Sequence, residues 1–142
     1  MSTNNHSQVL KQAQEKFNRG DLEGYLTTLY DSNVVLYFLP PGLPPGRDGT
    51  RLYYNGFLAG FPDAQLHLDE IISDGDRLAI RFHLEMTHQG EFQGIPPTGK
   101  RVSFTGITIM RFADGKVIER WSETDNLGLL QQLGVIPESP AG

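Results

Sequence analysis

The chain has 142 residues, 12 Lys+Arg against 17 Asp+Glu for a formal net charge of -5, and no cysteine. That length is one domain's worth. The composition excludes a disulfide framework and thiolate chemistry, and the scattered acidic balance offers no basic surface for nucleic acid or an anionic membrane. The polar start MSTNNHSQ lacks the basic and apolar run of a signal peptide, and no apolar stretch reaches the roughly 18 residues of a membrane span, so a soluble, cytoplasmic protein is expected.

Residues 1–7 are expected as a flexible tail. Val9, Leu10, Ala13 and Phe17 then recur at helical spacing from Gln8 to Arg19, and Gly20 stands where a left-handed cap ends a helix. Asp21 can cap a second helix with Leu22, Tyr25, Leu26 and Leu29 on its apolar face. Asn33 to Leu39 is β-branched and aromatic and too short for a helix, which predicts a buried strand. Pro40 to Gly49, with four prolines and three glycines, reads as a long loop. Leu52, Tyr53, Phe57 and Phe61 predict a third helix over Thr50–Phe61, stopped by Pro62. Four strands follow at Gln65–Ile72, Arg77–Thr87, Arg101–Phe112 and Lys116–Thr124. Asp74-Gly75 and Asp114-Gly115 mark tight hairpins, so neighbours should be antiparallel. A short helix over Asp125–Leu133 closes the chain before a tail at 137–142. Helices first and a meander last is the order of an α+β fold in a single domain spanning 1–142.

Alternation in the second long strand separates Leu78, Ile80, Phe82, Leu84 and Met86 from Ala79, Arg81, His83, Glu85 and Thr87, one core face and one polar. In the last strand Val117, Glu119, Trp121 and Glu123 share a face with Asp125, and Ile118, Arg120, Ser122 and Thr124 share the other. Carboxylates beside a tryptophan on the more apolar face suggest that this face lines a pocket. His83, Glu85 and His88 have metal-ligand chemistry, but groups on a polar strand face are ordinarily solvated and no metal is assigned. Gly94 to Lys100 approaches a phosphate loop, yet Arg101 replaces the required hydroxyl residue, two prolines remove donors and a strand follows, so no cofactor is expected. The remaining candidates are His88, Arg81, Glu119, Trp121 and Asp125. A carboxylate and an imidazole suit proton transfer and polarisation of an oxygen without a cofactor. On spacing alone Asp125, directly before a helix, reads as an N-cap ahead of a site residue, while His88 reads equally as a turn residue and Trp121 as a core aromatic.

Seven ordered pieces carry a resemblance. They are Phe61-Pro62-Asp63, Asp74-Gly75-Asp76-Arg77, Thr87-His88-x-Gly90-x-Phe92-x-Gly94, Pro96-Pro97-Thr98-Gly99-Lys100, Arg111-Phe112-x-Asp114-Gly115-Lys116, Glu119-x-Trp121-x-x-x-Asp125 and Leu129-Leu130-x-Gln132-Leu133-Gly134. Together they resemble the SnoaL-like polyketide cyclase family of the NTF2-like superfamily. The resemblance implies a cone-shaped α+β fold in which a curved antiparallel sheet wraps amino-terminal helices around a deep pocket, and a homodimer. It implies cofactor-free intramolecular aldol ring closure, or a related isomerisation, of a small hydrophobic molecule that is polyketide- or ester-like. Asp125 would be the acid/base, assisted by His88. His88 or Arg81 would steady the oxygen that gains charge, Trp121, Phe82 and Tyr37 would supply wall, and Glu119 would share the pocket face. An ordinary aspartate titrates near ~3.9, so Asp125 is expected to be shielded from water. The Pro40–Gly49 and Gly90–Lys100 loops are expected to shape the mouth. A dehydratase or hydrolase in the same pocket, and a non-catalytic ligand-binding or association module, stand as alternatives.

Overall fold

In a computed structural model that describes residues 3–137, the elements run α1 (Thr3–Asn18), α2 (Leu22–Leu29), β1 (Tyr30–Leu36), α3 (Gly46–Gly60), β2 (Gln65–Asp74), β3 (Arg77–Thr87), β4 (Arg101–Ala113), β5 (Lys116–Thr124) and α4 (Asn126–Leu133). The five strands form one sheet in the order β1-β5-β4-β3-β2. Helix α1 packs on α2 and across β2 and β3, α3 covers β1, and α4 lies on β4. Among the described residues no helix is long and apolar enough to cross a membrane.

The local signals work as their chemistry requires. Asp21 accepts a hydrogen bond from Gly24 N, and Gly20 turns the chain at φ +83 between α1 and α2. The β4–β5 turn places Asp114 at φ +51 and Gly115 at φ +79, the doubly left-handed pair that matches strand twist in a tight hairpin. Gly134 closes α4 at φ +84.

The structure departs from the sequence reading at α1, β1 and α3. Helix α1 begins at Thr3, so residues 3–7 of the expected tail are helical, and His6 is buried with its ring stacked 4.4 Å from Phe112. The expected carboxy-terminal tail, apart from Pro137, lies outside the described residues. Strand β1 starts at Tyr30, directly after α2, and pairs with β5 in parallel rather than antiparallel. Helix α3 starts inside the presumed loop, because only Pro40–Pro45 resist helix; Arg47 and Asp48 do not, and Arg51 pairs with Asp48 at 2.9 Å.

The register shifts in β1, between Tyr30 and Val35, and two further bulges set which side chains of β2 and β5 face inward. One lies in β2 between Leu68 and Glu70. The other lies in β5, where Arg111 pairs with Glu119 but Phe112 pairs with Val117, leaving Ile118 as the extra residue. A bulge shifts the period-two alternation by one, so Val117 and Arg120 both point into the core.

Candidate functional site

A cavity of about 170 Å³ lies between the helices and the inner face of the sheet. Its walls are Phe17 of α1, Tyr25 of α2, Tyr53, Tyr54 and Phe57 of α3, Phe38, Leu66, Phe82, Leu84 and Phe104, and its polar groups include Arg120, Ser122 and Thr124 on β5. Leu66 faces Leu84 across β2 and β3, and Phe82 faces Gly106 across β3 and β4. A Cβ on Gly106 would stand 2.7 Å from the Phe82 ring, so only glycine lets that ring lie flat over the sheet.

Arg120 is the centre of the polar end. It is 7% exposed. Its Nη1 donates to Tyr30 Oη (2.6 Å) and Tyr54 Oη (3.0 Å), and its Nε to Thr108 Oγ1 (2.8 Å) and Ser122 Oγ (3.1 Å). Tyr25 Oη completes the group at 2.8 Å from Tyr54 Oη. The guanidinium also lies 5.4 Å from the Phe38 ring and 5.9 Å from that of Phe82. Burial works against its charge, but the surrounding phenol oxygens of Tyr30, Tyr54 and Tyr25 outweigh this and keep it a cation. Burial likewise pushes the Tyr25 and Tyr30 phenols well above their usual range, so they stay neutral donors. Among the described residues no carboxylate pairs with Arg120 and no protein acceptor takes its Nη2, and the side chain lines the cavity. A charge kept from solvent without a counter-ion is costly, and such a site favours a ligand oxygen that carries or gains negative charge.

Of the residues singled out from sequence, Phe82 alone lines this cavity. Trp121, Tyr37 and Glu119 sit on the outer face of the sheet: Tyr37 stacks on Trp121 at 5.0 Å and donates from Oη to Glu119 (2.5 Å), and Arg111 clamps the same carboxylate. The assignment of that face to the pocket is therefore corrected, and the cause is the bulge at Ile118 together with an arginine buried where charge is ordinarily solvated. Arg81 is exposed on the outer face against Glu70 (3.3 Å). His88 is fully buried but off the cavity. Its Nδ1 accepts from Thr98 N (3.1 Å), its Nε2 lacks a partner, and its ring lies 5.3 Å from Phe61, which packs in turn on the cavity-lining Phe57. Asp125 caps α4, accepting from Gly128 N (2.9 Å), and is exposed rather than shielded, although its neighbour Thr124 faces the cavity. Neither expected mouth loop supplies a lining side chain. The second is fastened instead to the end of α3 by Gln89 N and Gly90 N donating to Gly60 O, with Gly90 so close to Ala59 O that a Cβ would stand 2.0 Å away.

Sequence reasoning missed Arg120, Tyr25, Tyr30 and Tyr54. The signal was present as Arg120-x-Ser122-x-Thr124, a polar alternation on one face of β5, and as tyrosines among the apolar positions of α2 and α3. What was absent locally was any sign that these groups meet.

The model of the SnoaL-like polyketide cyclase family matches residues 7–133. Aklanonic acid methyl ester cyclase DnrD of Streptomyces peucetius is 34% identical over 80 residues, a stretch that is 55% of this chain and 55% of that protein, so the match spans about half the length of the curated relative. AclR of Streptomyces galilaeus is 35% identical, with 98% of this chain and 87% of that one superposed at a TM-score of 0.83. A SnoaL-like polyketide cyclase of Agrobacterium tumefaciens is 27% identical over 94% of this chain and 100% of that one, with a TM-score of 0.77.

Proposed function

Because the chain belongs to the SnoaL-like polyketide cyclase family, we propose that its cavity binds a small, largely hydrophobic, carbonyl-containing molecule and that cofactor-free ring closure or isomerisation takes place there. The observation that carries this reading is Arg120, a buried cation with no carboxylate partner among the described residues, held by tyrosine hydroxyls at the polar end of an aromatic cavity. A base takes a proton from a carbon flanked by carbonyls, and the electron pair moves onto one carbonyl oxygen. Arg120 meets the charge gathering on that oxygen. The carbanion attacks a second carbonyl, and the resulting alkoxide takes up a proton. Arg120 is already fixed by its hydrogen bonds, so little reorganisation accompanies the charge development.

Ligand sites commonly enclose about 300–1,000 Å³, so a cavity of about 170 Å³ accommodates the reacting end of a polyketide rather than a whole polycycle. Asp125 is the proposed acid/base, supported by the family pattern and by the lining position of Thr124 beside it; it acts from the mouth. His88 is a positioning residue in this reading, bracing Phe61 and through it Phe57.

A second reading rests on a specific observation: no carboxylate or imidazole lines the cavity among the described residues, as suits a module that binds without turnover. The methyl ester named for DnrD is the first compound to try, followed by simpler β-dicarbonyl esters. Arg120→Met is expected to lower turnover about 100-fold or more, and Asp125→Asn, which preserves the cap because Asn is an equal N-cap, to abolish turnover while leaving affinity in place. Unchanged turnover and affinity in Arg120→Met would remove the reading. Tight binding with no turnover by the wild type would establish the module instead.

A cytoplasmic homodimer is proposed with this function. Ile72, Ala79, Ile109 and Trp121 are successive cross-strand partners and form an apolar row across four strands of the outer face. Ile109→Asp should convert a sedimenting dimer to monomer.

A further inference from the structure

We propose that the outer face of the β2–β3 hairpin binds a borderline divalent transition ion, zinc being the test case, through His67, His83 and Glu85. His67 and His83 are direct cross-strand partners with rings stacked 4.6 Å apart at 9°, and Glu85 follows His83 by two residues, so strand alternation brings all three to one side. Leu66, Phe82 and Leu84, their neighbours in sequence, face the cavity on the other side. One donor atom from each of the three lies within 4.8 Å of the others. The Glu85 carboxylate stands 3.6 Å from His83 Nε2 and 3.8 Å from His67 Nε2. Bonds of about 2.0–2.1 Å put the ligand atoms of tetrahedral zinc about 3.3 Å apart. The remaining gap is a small adjustment of side chains that are 45%, 25% and 49% exposed for His67, His83 and Glu85.

Asp69 supplies the independent observation. It is the extra residue of the β2 bulge, and its carboxylate lies 2.8 Å from His83 Nδ1. A carboxylate only accepts, so Nδ1 is the donor in that contact and Nε2 is the ring nitrogen turned towards Glu85 and His67, the arrangement by which a carboxylate orients a metal-binding imidazole. Two imidazoles and one carboxylate suit zinc, copper or nickel and leave a fourth position for water, whereas calcium and magnesium prefer oxygen donors. Two cations face the cluster, Arg81 at 4.0 Å from Asp69 and Arg101 at 3.7 Å from Glu85. Both already have other partners, Glu70 for Arg81 and Asp63 for Arg101, and both are more than half exposed, so an ion can displace them. An ion held here ties β2 to β3 outside the cavity, and the site does not depend on the proposed reaction.

The test is zinc titration of the full chain near neutral pH by calorimetry, alongside thermal unfolding. The expected result is one zinc per chain with a raised Tm, no shift with magnesium, and affinity weakened about tenfold or more in His67→Ala and in His83→Ala. Asp69→Asn should weaken it about 10–100-fold, as loss of an orienting carboxylate does. These are surface changes, and circular dichroism checks that each variant is folded. No zinc binding by the wild type at about 0.1 mM, or stoichiometric binding that survives the His67→Ala/His83→Ala double variant, would overturn the site.

Discussion

The two faces of the sheet at β4 and β5 carry the same kinds of residue in opposite settings. Inward, Arg120 has no acidic partner among the described residues and is held by the hydroxyls of Tyr30, Tyr54, Thr108 and Ser122. Outward, Arg111 and Glu119 pair directly, with Tyr37 donating to the same carboxylate and stacking on Trp121. The outer charges neutralise one another in reach of water, where such pairs contribute little. The inner charge is left for a ligand. The proposed function therefore uses the side on which a cation lacks a carboxylate partner among the described residues, not the side with more ionisable groups.

That contrast breaks most readily at Arg120. Arg120→Glu puts a carboxylate beside buried phenols with no cation and should destabilise the fold by about 3–5 kcal/mol in denaturant unfolding; a change under about 1 kcal/mol would mean that the inner site is open to water. Tyr54→Phe removes the hydroxyl shared by Arg120 and Tyr25 and should lower stability by about 1–3 kcal/mol, with ligand affinity falling as Arg120 loses its fixed position. Asp125→Ala should cost about 1 kcal/mol through the lost cap of α4, while Asp125→Asn should be neutral in stability. On the outer face, Trp121→Ala loses the Tyr37 stack, about 0.5–1.5 kcal/mol, and should leave cavity affinity unchanged; a large loss of affinity would erase the distinction between the faces.

The smallest effect is one of pH. The Tyr37 hydroxyl and then the Arg111 guanidinium hold the Glu119 carboxyl below its ordinary range. A depressed carboxyl stabilises the fold above its unfolded value of about 4.3, and that stability disappears as pH falls through the lower folded value. Glu119→Gln should therefore lose less stability than the wild type between neutral pH and pH ~3. Arg120, Tyr25 and Tyr30, all held above their usual ranges, should contribute no titration over the same interval.

Much of the fold was legible in the sequence. The limits of β3 and β5, the cap at Asp21, the two hairpin turns and the helix after Asp125 coincide with the reading, because each depends on a few adjacent residues. The β-branched pair Val34 and Val35 placed β1 to within three residues, but its parallel pairing with β5 joins segments far apart in the chain. The site was much less legible. Strict alternation carried from Val117 through Ile118 turns Trp121 inward and Arg120 outward, and a one-residue bulge there reverses every face assignment C-terminal to it.

By itself the sequence determined a cysteine-free, acidic chain of α+β class and its family, since composition, short-range periodicity and ordered motifs suffice for that. Tertiary structure alone decided which side of β5 is interior. It joined Arg120 to Tyr30 across 90 positions and set His67 against His83 across two strands. A period of two or of 3.6 residues says which side chains share a face, but whether that face meets helices or water depends on register and on packing between distant segments.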